Sequence, residues 1–119
     1  MTGNVQNERA LLGVIGLCRG AGRAVIGTPM ICEELKKRAQ RTKKEGAEAS
    51  LDVIVIEASD TSDNTHKKIT DKCAYYKVRH VRIASDCVTL GGAVGKSAVA
   101  AVMINDAGFC RAVEKKLAP

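Results

Sequence analysis

The stretch that most constrains this chain is residues 51–56, LDVIVI, a β-branched run bounded by polar residues. Apolar side chains at consecutive strand positions point to both faces of a sheet, so such a strand must be covered on both sides. A second run of this kind, residues 98–104 (AVAAVMI), repeats the demand. Two strands buried on both faces call for helices above and below one sheet.

The rest of the chain supplies those helices. Residues 5–19 place Val5, Leu11, Leu12, Ile15 and Cys18 on one helical stripe, and Gly20-Ala21-Gly22 stops it. A short β-like run, residues 23–26, leads to Gly27. Thr28-Pro29 reads as a hydroxyl cap with proline at the first helical position, opening a helix from Met30 to about Lys44 with Ile31, Leu35 and Ala39 on one face. Residues 59–64 form a turn cluster before a helix over 65–76, with Ile69, Cys73 and Tyr76 apolar. A strand over 78–84 carries Arg79 and Arg82, and a short helix over 88–94 closes at Gly95. Asn105-Asp106 caps a last helix over 107–117. Helices and strands alternate without repeat or Pro-rich linker. The expected architecture is α/β: a three-layer α/β/α sandwich around a small mixed sheet of about four strands.

At 119 residues the chain reads as one domain, 1–119, able to bury about two-thirds of its unfolded surface. Its only aromatics are Tyr75, Tyr76 and Phe109. That argues against a base-stacking platform, which needs several. No run of 18 apolar residues exists to span a membrane. The apolar stretch from Ala10 to Leu17 follows Glu8 and Arg9 and lacks a basic start, so no signal peptide is expected. The five cysteines are odd in number and widely spaced, which predicts reduced thiols in a cytoplasmic protein and no metal site.

The segment 91–97, GGAVGKS, invites a phosphate-loop reading and fails it twice. The first glycine of that loop would stand at Leu90, and Lys96-Ser97 leads into a strand where a helix is required. His66 and His80 read as surface histidines, and Glu33, Glu34, Asp60 and Asp63 as carboxylates near helix starts. No nucleophile, base and orienting group come together. No enzyme and no cofactor are expected.

Charge is the remaining signal. The formal net charge is +6, and residues 36–44 hold six basic residues and no acid. Lys67, Lys68, Lys72, Lys77, Arg79 and Arg82 add to it, the first three reading as a solvated helix face. Arg19, Arg23 and Lys96 sit in or beside glycine-rich turns, where a backbone comes close to a ligand and an arginine forks onto a phosphate. This pattern predicts a polyanion partner without choosing RNA over DNA.

The same turns carry a family resemblance. Residues 11–28 (LLGVIGLCRGAGRAVIGT), 58–76 (ASDTSDNTHKKITDKCAYY) and 90–109 (LGGAVGKS, a hydrophobic strand, then DAGF) resemble, in order, three blocks of the kink-turn RNA-binding ribosomal proteins. This is the L-seven-Ae and L-thirty-e superfamily, and the likeness is to its small bacterial members. It spans roughly residues 9–117, with an extra stretch near 41–50. It implies a non-catalytic αβα sandwich that docks structured RNA, either a kink-turn or ribosomal RNA. The G-T turn and the first turn of the second helix would enter the groove of a kinked RNA helix. A loop before the last strand would pack apolar atoms on a flipped-out nucleotide. Carried over by position, the first surface is Gly27, Thr28, Pro29, Met30 and Glu33. The loop is Gly95, Lys96, Ser97, Ala98 and Val99. Such a mode fits RNA chemistry, because proteins read RNA at splayed bases and bulges.

The chain departs from the family where Asn, then Glu or Gln, and a Lys one turn later would bond guanine edges and phosphates. Here these positions hold Pro29, Met30 and Glu33, and Cys87 stands for a further lysine. Each bidentate base contact is worth about 1–3 kcal/mol of discrimination in DNA readout. The departures point to a second expectation, a protein-interaction or assembly module on the same fold. In compensation, Lys36, Lys37, Arg41 and Lys43 are expected to hold flanking phosphates. The chain is expected to be a monomer, ribosome-associated, with no membrane partner.

Overall fold

A computed structural model describes residues 5–45 and 53–117, with side chains over 8–40 and 53–117. Helices α1 (Val5–Gly20), α2 (Thr28–Glu45), α3 (Asp63–Tyr75), α4 (Cys87–Ala93) and α5 (Ala107–Leu117) alternate with strands β1 (Ala24–Ile26), β2 (Val53–Glu57), β3 (Arg79–Arg82) and β4 (Ala101–Asn105). The four strands form one mixed sheet in the order β1-β4-β2-β3. β4 runs antiparallel to both its neighbours, while β2 and β3 are parallel.

The alternating direction of strand side chains divides the interior into two cores. Ile54, Ile56, Val102 and Ile104 face one side, with Leu11, Ile15 and Cys18 of α1, Leu90 of α4, and Cys110 and Val113 of α5. Val53, Val55, Ala101 and Met103 face the other, with Ile31 and Leu35 of α2 and Ile69 and Cys73 of α3. The expected three-layer sandwich with a small mixed sheet is the observed fold.

Most boundaries differ from expectation by a residue or two, and three of the differences have a local reason. The second helix opens at Thr28, because the Gly27 carbonyl already accepts from the Ile31 N–H at 3.0 Å. Thr28 is therefore the first helical residue, and Pro29 the second, where the missing N–H has no intrahelical partner to lose. The last strand starts at Ala101 rather than Ala98, because the Val99 N–H donates to the Cys87 carbonyl at 2.9 Å and draws the chain onto α4. The first buried strand runs one residue past Ile56, taking Glu57 into the sheet. Residues 46–52, including half of the extra stretch, lie outside the described residues, as do the side chains of Arg41 and Lys43.

Candidate nucleic-acid interface

The turn from β1 into α2 is built on Gly27. Its N–H donates to the Ala101 carbonyl at 3.1 Å, and its φ of 93° lies in the left-handed region that suits glycine. Thr28 is half-buried, Pro29 is exposed, and Met30 is 60% exposed. Glu33 is exposed one turn later.

The second segment is the loop between α4 and β4. Gly95, also left-handed with φ 74°, turns the chain at the end of α4, and the Lys96 N–H donates back to the Gly91 carbonyl at 2.8 Å. Held at Gly91 and again at Cys87, the loop leaves Lys96, Ser97 and Ala98 exposed. Val99 is buried with 6% exposure in the α1/α4/α5 core, so only Ala98 of the expected apolar pair is presented at the surface.

The structure brings these two segments together in part. β4 enters the sheet at Ala101, where Gly27 is bonded, so the turn and the returning limb of the loop leave from the same end of the β1–β4 ladder. The loop's tip reaches Arg19 in the last turn of α1, whose guanidinium carbon lies 3.9 Å from where a Gly95 β-carbon would stand. Arg23 is elsewhere. Its carbonyl accepts from the Asn105 N–H at the opposite end of β1, about 13 Å of strand from Gly27. Lys36 and Lys37 are exposed on α2, about 12 Å along the helix from Thr28 for the nearer one. Arg38, within the same basic run, donates to the Asn105 side chain at 3.2 Å. Arg79 is paired with Glu114.

Electrostatics at the start of α4 are negative. Asp60 accepts from the Cys87 N–H at 2.7 Å and Asp86 from the Thr89 N–H at 2.8 Å. Hydrogen bonds from the Cys87 thiol and N–H hold the Asp60 carboxyl below its ordinary range, and those from the Thr89 N–H and hydroxyl do the same for Asp86. Burial, with Asp60 beside it, pushes the Cys87 thiol up to about 11. At the position where the family resemblance implies a lysine, the chain therefore carries a neutral thiol and no cation.

The sequence reading missed a polar cluster beside this interface. Glu57 has no exposed surface, yet it is ionisable and sits among three donors. His80 Nε2 stands 2.7 Å from its Oε1, His66 Nδ1 stands 2.9 and 2.8 Å from Oε1 and Oε2, and the Thr61 hydroxyl donates to Oε2. The Arg82 guanidinium lies 3.7 Å from Oε2 and donates to the Ala58 carbonyl and Thr61. The expectation that His66 and His80 are ordinary surface histidines is thus corrected. The parallel register sets His80 opposite Val55 and Arg82 opposite Glu57, on the face covered by α2 and α3. Burial favours protonation of Glu57, but donation from Thr61, His66 and His80 and the charge of His66 outweigh it and hold its carboxyl below the usual range. The available signal was parity: Val53, Val55 and Glu57 fall on one strand face, so a strand longer by one residue buries a carboxylate that must find partners.

The α/β/α sandwich is a fold this chain shares with solved structures. A 15.5kD RNA binding protein of Giardia lamblia superposes with a TM-score of 0.64, at 19% identity, covering 98% of this chain and 88% of that one. A protein of unknown function from Bacillus halodurans gives 0.63 at 25% identity, covering 90% and 95%. In sequence, the RNA-binding protein YlxQ of Bacillus subtilis (strain 168) is 36% identical over 96 residues, 81% of this chain and 83% of its own length. The YlxQ protein of Enterococcus faecium is 29% identical over 75 residues, covering 63% and 61%. The chain belongs to the YlxQ family. No family model matches it. Among the described residues, no helix is long and apolar enough to cross a membrane.

Proposed function

We propose that this protein binds structured RNA at a kinked or bulged element, a kink-turn or its equivalent in ribosomal RNA, without catalysis. It acts as a monomer in the cytoplasm, in association with the ribosome. The observation that carries the reading is the shared departure of the Gly27–Met30 turn and the Ala98–Ala100 limb from one end of the β1–β4 ladder, with Arg19 and Lys96 at the loop's tip. Relatives named as RNA-binding proteins support it.

In this reading, the half-buried Gly27 turn, the exposed backbone at Gly95 and the side chains of Thr28, Ser97 and Ala98 meet the splayed nucleotides. Arg19 and Lys96 hold phosphates, with Lys36 and Lys37 reaching flanking ones and Arg23 a peripheral contact. Pro29 and Met30 offer no side-chain hydrogen-bond donor, so selectivity rests on RNA shape more than on base edges.

The test is a salt titration of RNA affinity for the Arg19→Gln and Lys96→Gln variants against a Lys68→Gln, Lys72→Gln variant on α3. Each lost phosphate contact lowers the slope of log K against log salt by about 0.7–0.9. The expected result is a shallower slope for both loop variants and an unchanged one for the α3 variant. Equal loss in all three would mean diffuse polyanion binding and would contradict the assigned surface.

One observation favours a second reading, a protein-interaction module: Met30 is 60% exposed beside the exposed Pro29, an apolar pair at the head of the candidate surface. It predicts no RNA affinity in the same titration and purification free of nucleic acid.

A further inference from the structure

The geometry points to a binding site for one divalent transition-metal ion of zinc's class at Glu57, His66 and His80. The three side chains come from three elements, the end of β2, the first turns of α3, and β3. Their ligand atoms all lie within 4.8 Å of one another. Two imidazole nitrogens converge on a single oxygen, Oε1, at 2.9 and 2.7 Å. The other oxygen is engaged by the Thr61 hydroxyl and shares His66 Nδ1 at 2.8 Å, with Arg82 at 3.7 Å. Partners of that kind orient a ligating carboxylate from behind and leave its other oxygen for the ion.

The donor set selects the ion. Two imidazoles and one carboxylate suit zinc and its neighbours, whereas calcium and magnesium ask for oxygen alone. Ligand bonds of about 2.0–2.2 Å in a tetrahedron set neighbouring ligand atoms about 3.4 Å apart. The nitrogen–oxygen edges must therefore open by about half an ångström from hydrogen-bond length, a side-chain adjustment. Entry is from the His66 side, since that side chain is 39% exposed against 16% for His80 and none for Glu57. Three protein ligands leave a fourth position to water.

Binding needs no redox partner. On binding, the proton on the nitrogen that faces Glu57 leaves to solvent or moves through it to the other ring nitrogen, and the freed lone pair turns to the ion. The positive charge of Arg82 weakens the site without blocking it, because Arg82 approaches Oε2 rather than Oε1. A bound ion would tie the first turns of α3 to both parallel strands, so ligation should appear as added stability.

The test uses the whole chain, stripped with chelator, and needs no RNA, so its failure is separate from failure of the proposed function. Zinc chloride at a hundredfold excess over Kd should suppress the unfolded population about a hundredfold and raise Tm by several degrees. Cobalt(II) should give visible ligand-field bands without thiolate charge transfer. His66→Gln and His80→Gln should each abolish both signals, while Cys32→Ser, Cys87→Ser should retain them. No Tm shift and no cobalt bands in the unmodified chain would overturn the site. So would signals that survive the histidine variants or vanish in the cysteine variant, which would assign the metal to thiols. The cobalt spectrum of the unmodified chain keeps the proposal falsifiable should a histidine variant fail to fold.

Discussion

A β-carbon on Gly91 would stand 2.7 Å from the Cα of Ala98. This buried glycine of α4 is where the helix and the outgoing loop touch backbone to backbone. The Gly91 carbonyl also accepts from the Val94 and Lys96 N–H groups, so the start of the loop is registered on it.

Gly91→Ala should therefore push the 96–99 segment away from α4. Overpacking of a tight contact costs about 1–3 kcal/mol, partly offset by the better helix propensity of alanine. The expected outcome is a lower Tm together with a larger loss of RNA affinity than Gly92→Ala produces, since nothing lies within 4 Å of a β-carbon there. Parallel melts and binding curves for the two variants check it.

Acid should unfold the protein partly through Glu57. Its folded carboxyl lies below the ordinary value of 4.5, so the bound carboxylate contributes stability that is present above that value and lost as pH falls through the folded one. Asp60 and Asp86 are held down in the same sense. Glu57→Gln isolates the first: it should cost about 1–3 kcal/mol near neutral pH, by leaving buried donors facing an amide, and should flatten the loss of stability below pH 4.5. Urea unfolding of both chains across that range is the measurement. An equally steep acid limb in the variant would contradict the account.

Much of the fold was legible because period and punctuation agreed. The double-sided apolar runs at 51–56 and 98–104 required two helical layers, and glycines marked the ends of α1 and α4 while cap residues marked the starts of α2, α3 and α5. Strand order was not legible: β4 lies between β1 and β2 although it comes last, and no local pattern encodes that. The cluster at Glu57 was hidden for the same reason. It depends on the β2–β3 register and on His66 reaching back nine residues from α3. The candidate interface was legible as residues but not as a surface. Arg19 and Gly95 are far apart in sequence and adjacent in space, whereas Arg23 and Gly27 are close in sequence and stand at opposite ends of one strand.

Thiol reactivity offers a local check on the start of α4. Burial pushes Cys18 up to about 11 and Cys73 to about 12, and burial with Asp60 pushes Cys87 to about 11. All three should alkylate slowly in the folded protein at neutral pH, since the thiolate is the reactive form. Asp60→Asn should speed labelling of Cys87 a few-fold and leave Cys18 and Cys73 unchanged, as read by mass spectrometry of tryptic peptides. Unchanged Cys87 labelling would contradict the assigned Asp60 contact.

Lys36→Gln, Lys37→Gln should lower the salt slope of RNA binding by about 0.7–0.9 per lysine if both hold phosphates. An unchanged slope and affinity would remove them from the surface and leave RNA binding to the turn and loop alone.

Recognition of kinked RNA by the Gly27 turn and the 95–99 loop stands or falls on one titration. A generic kink-turn RNA is compared with the same duplex carrying Watson–Crick pairs in place of its G·A pairs, at two salt concentrations. The expected result is a preference for the kink-turn that persists at the higher salt. Equal and steeply salt-dependent binding to both, or binding to neither, would contradict it.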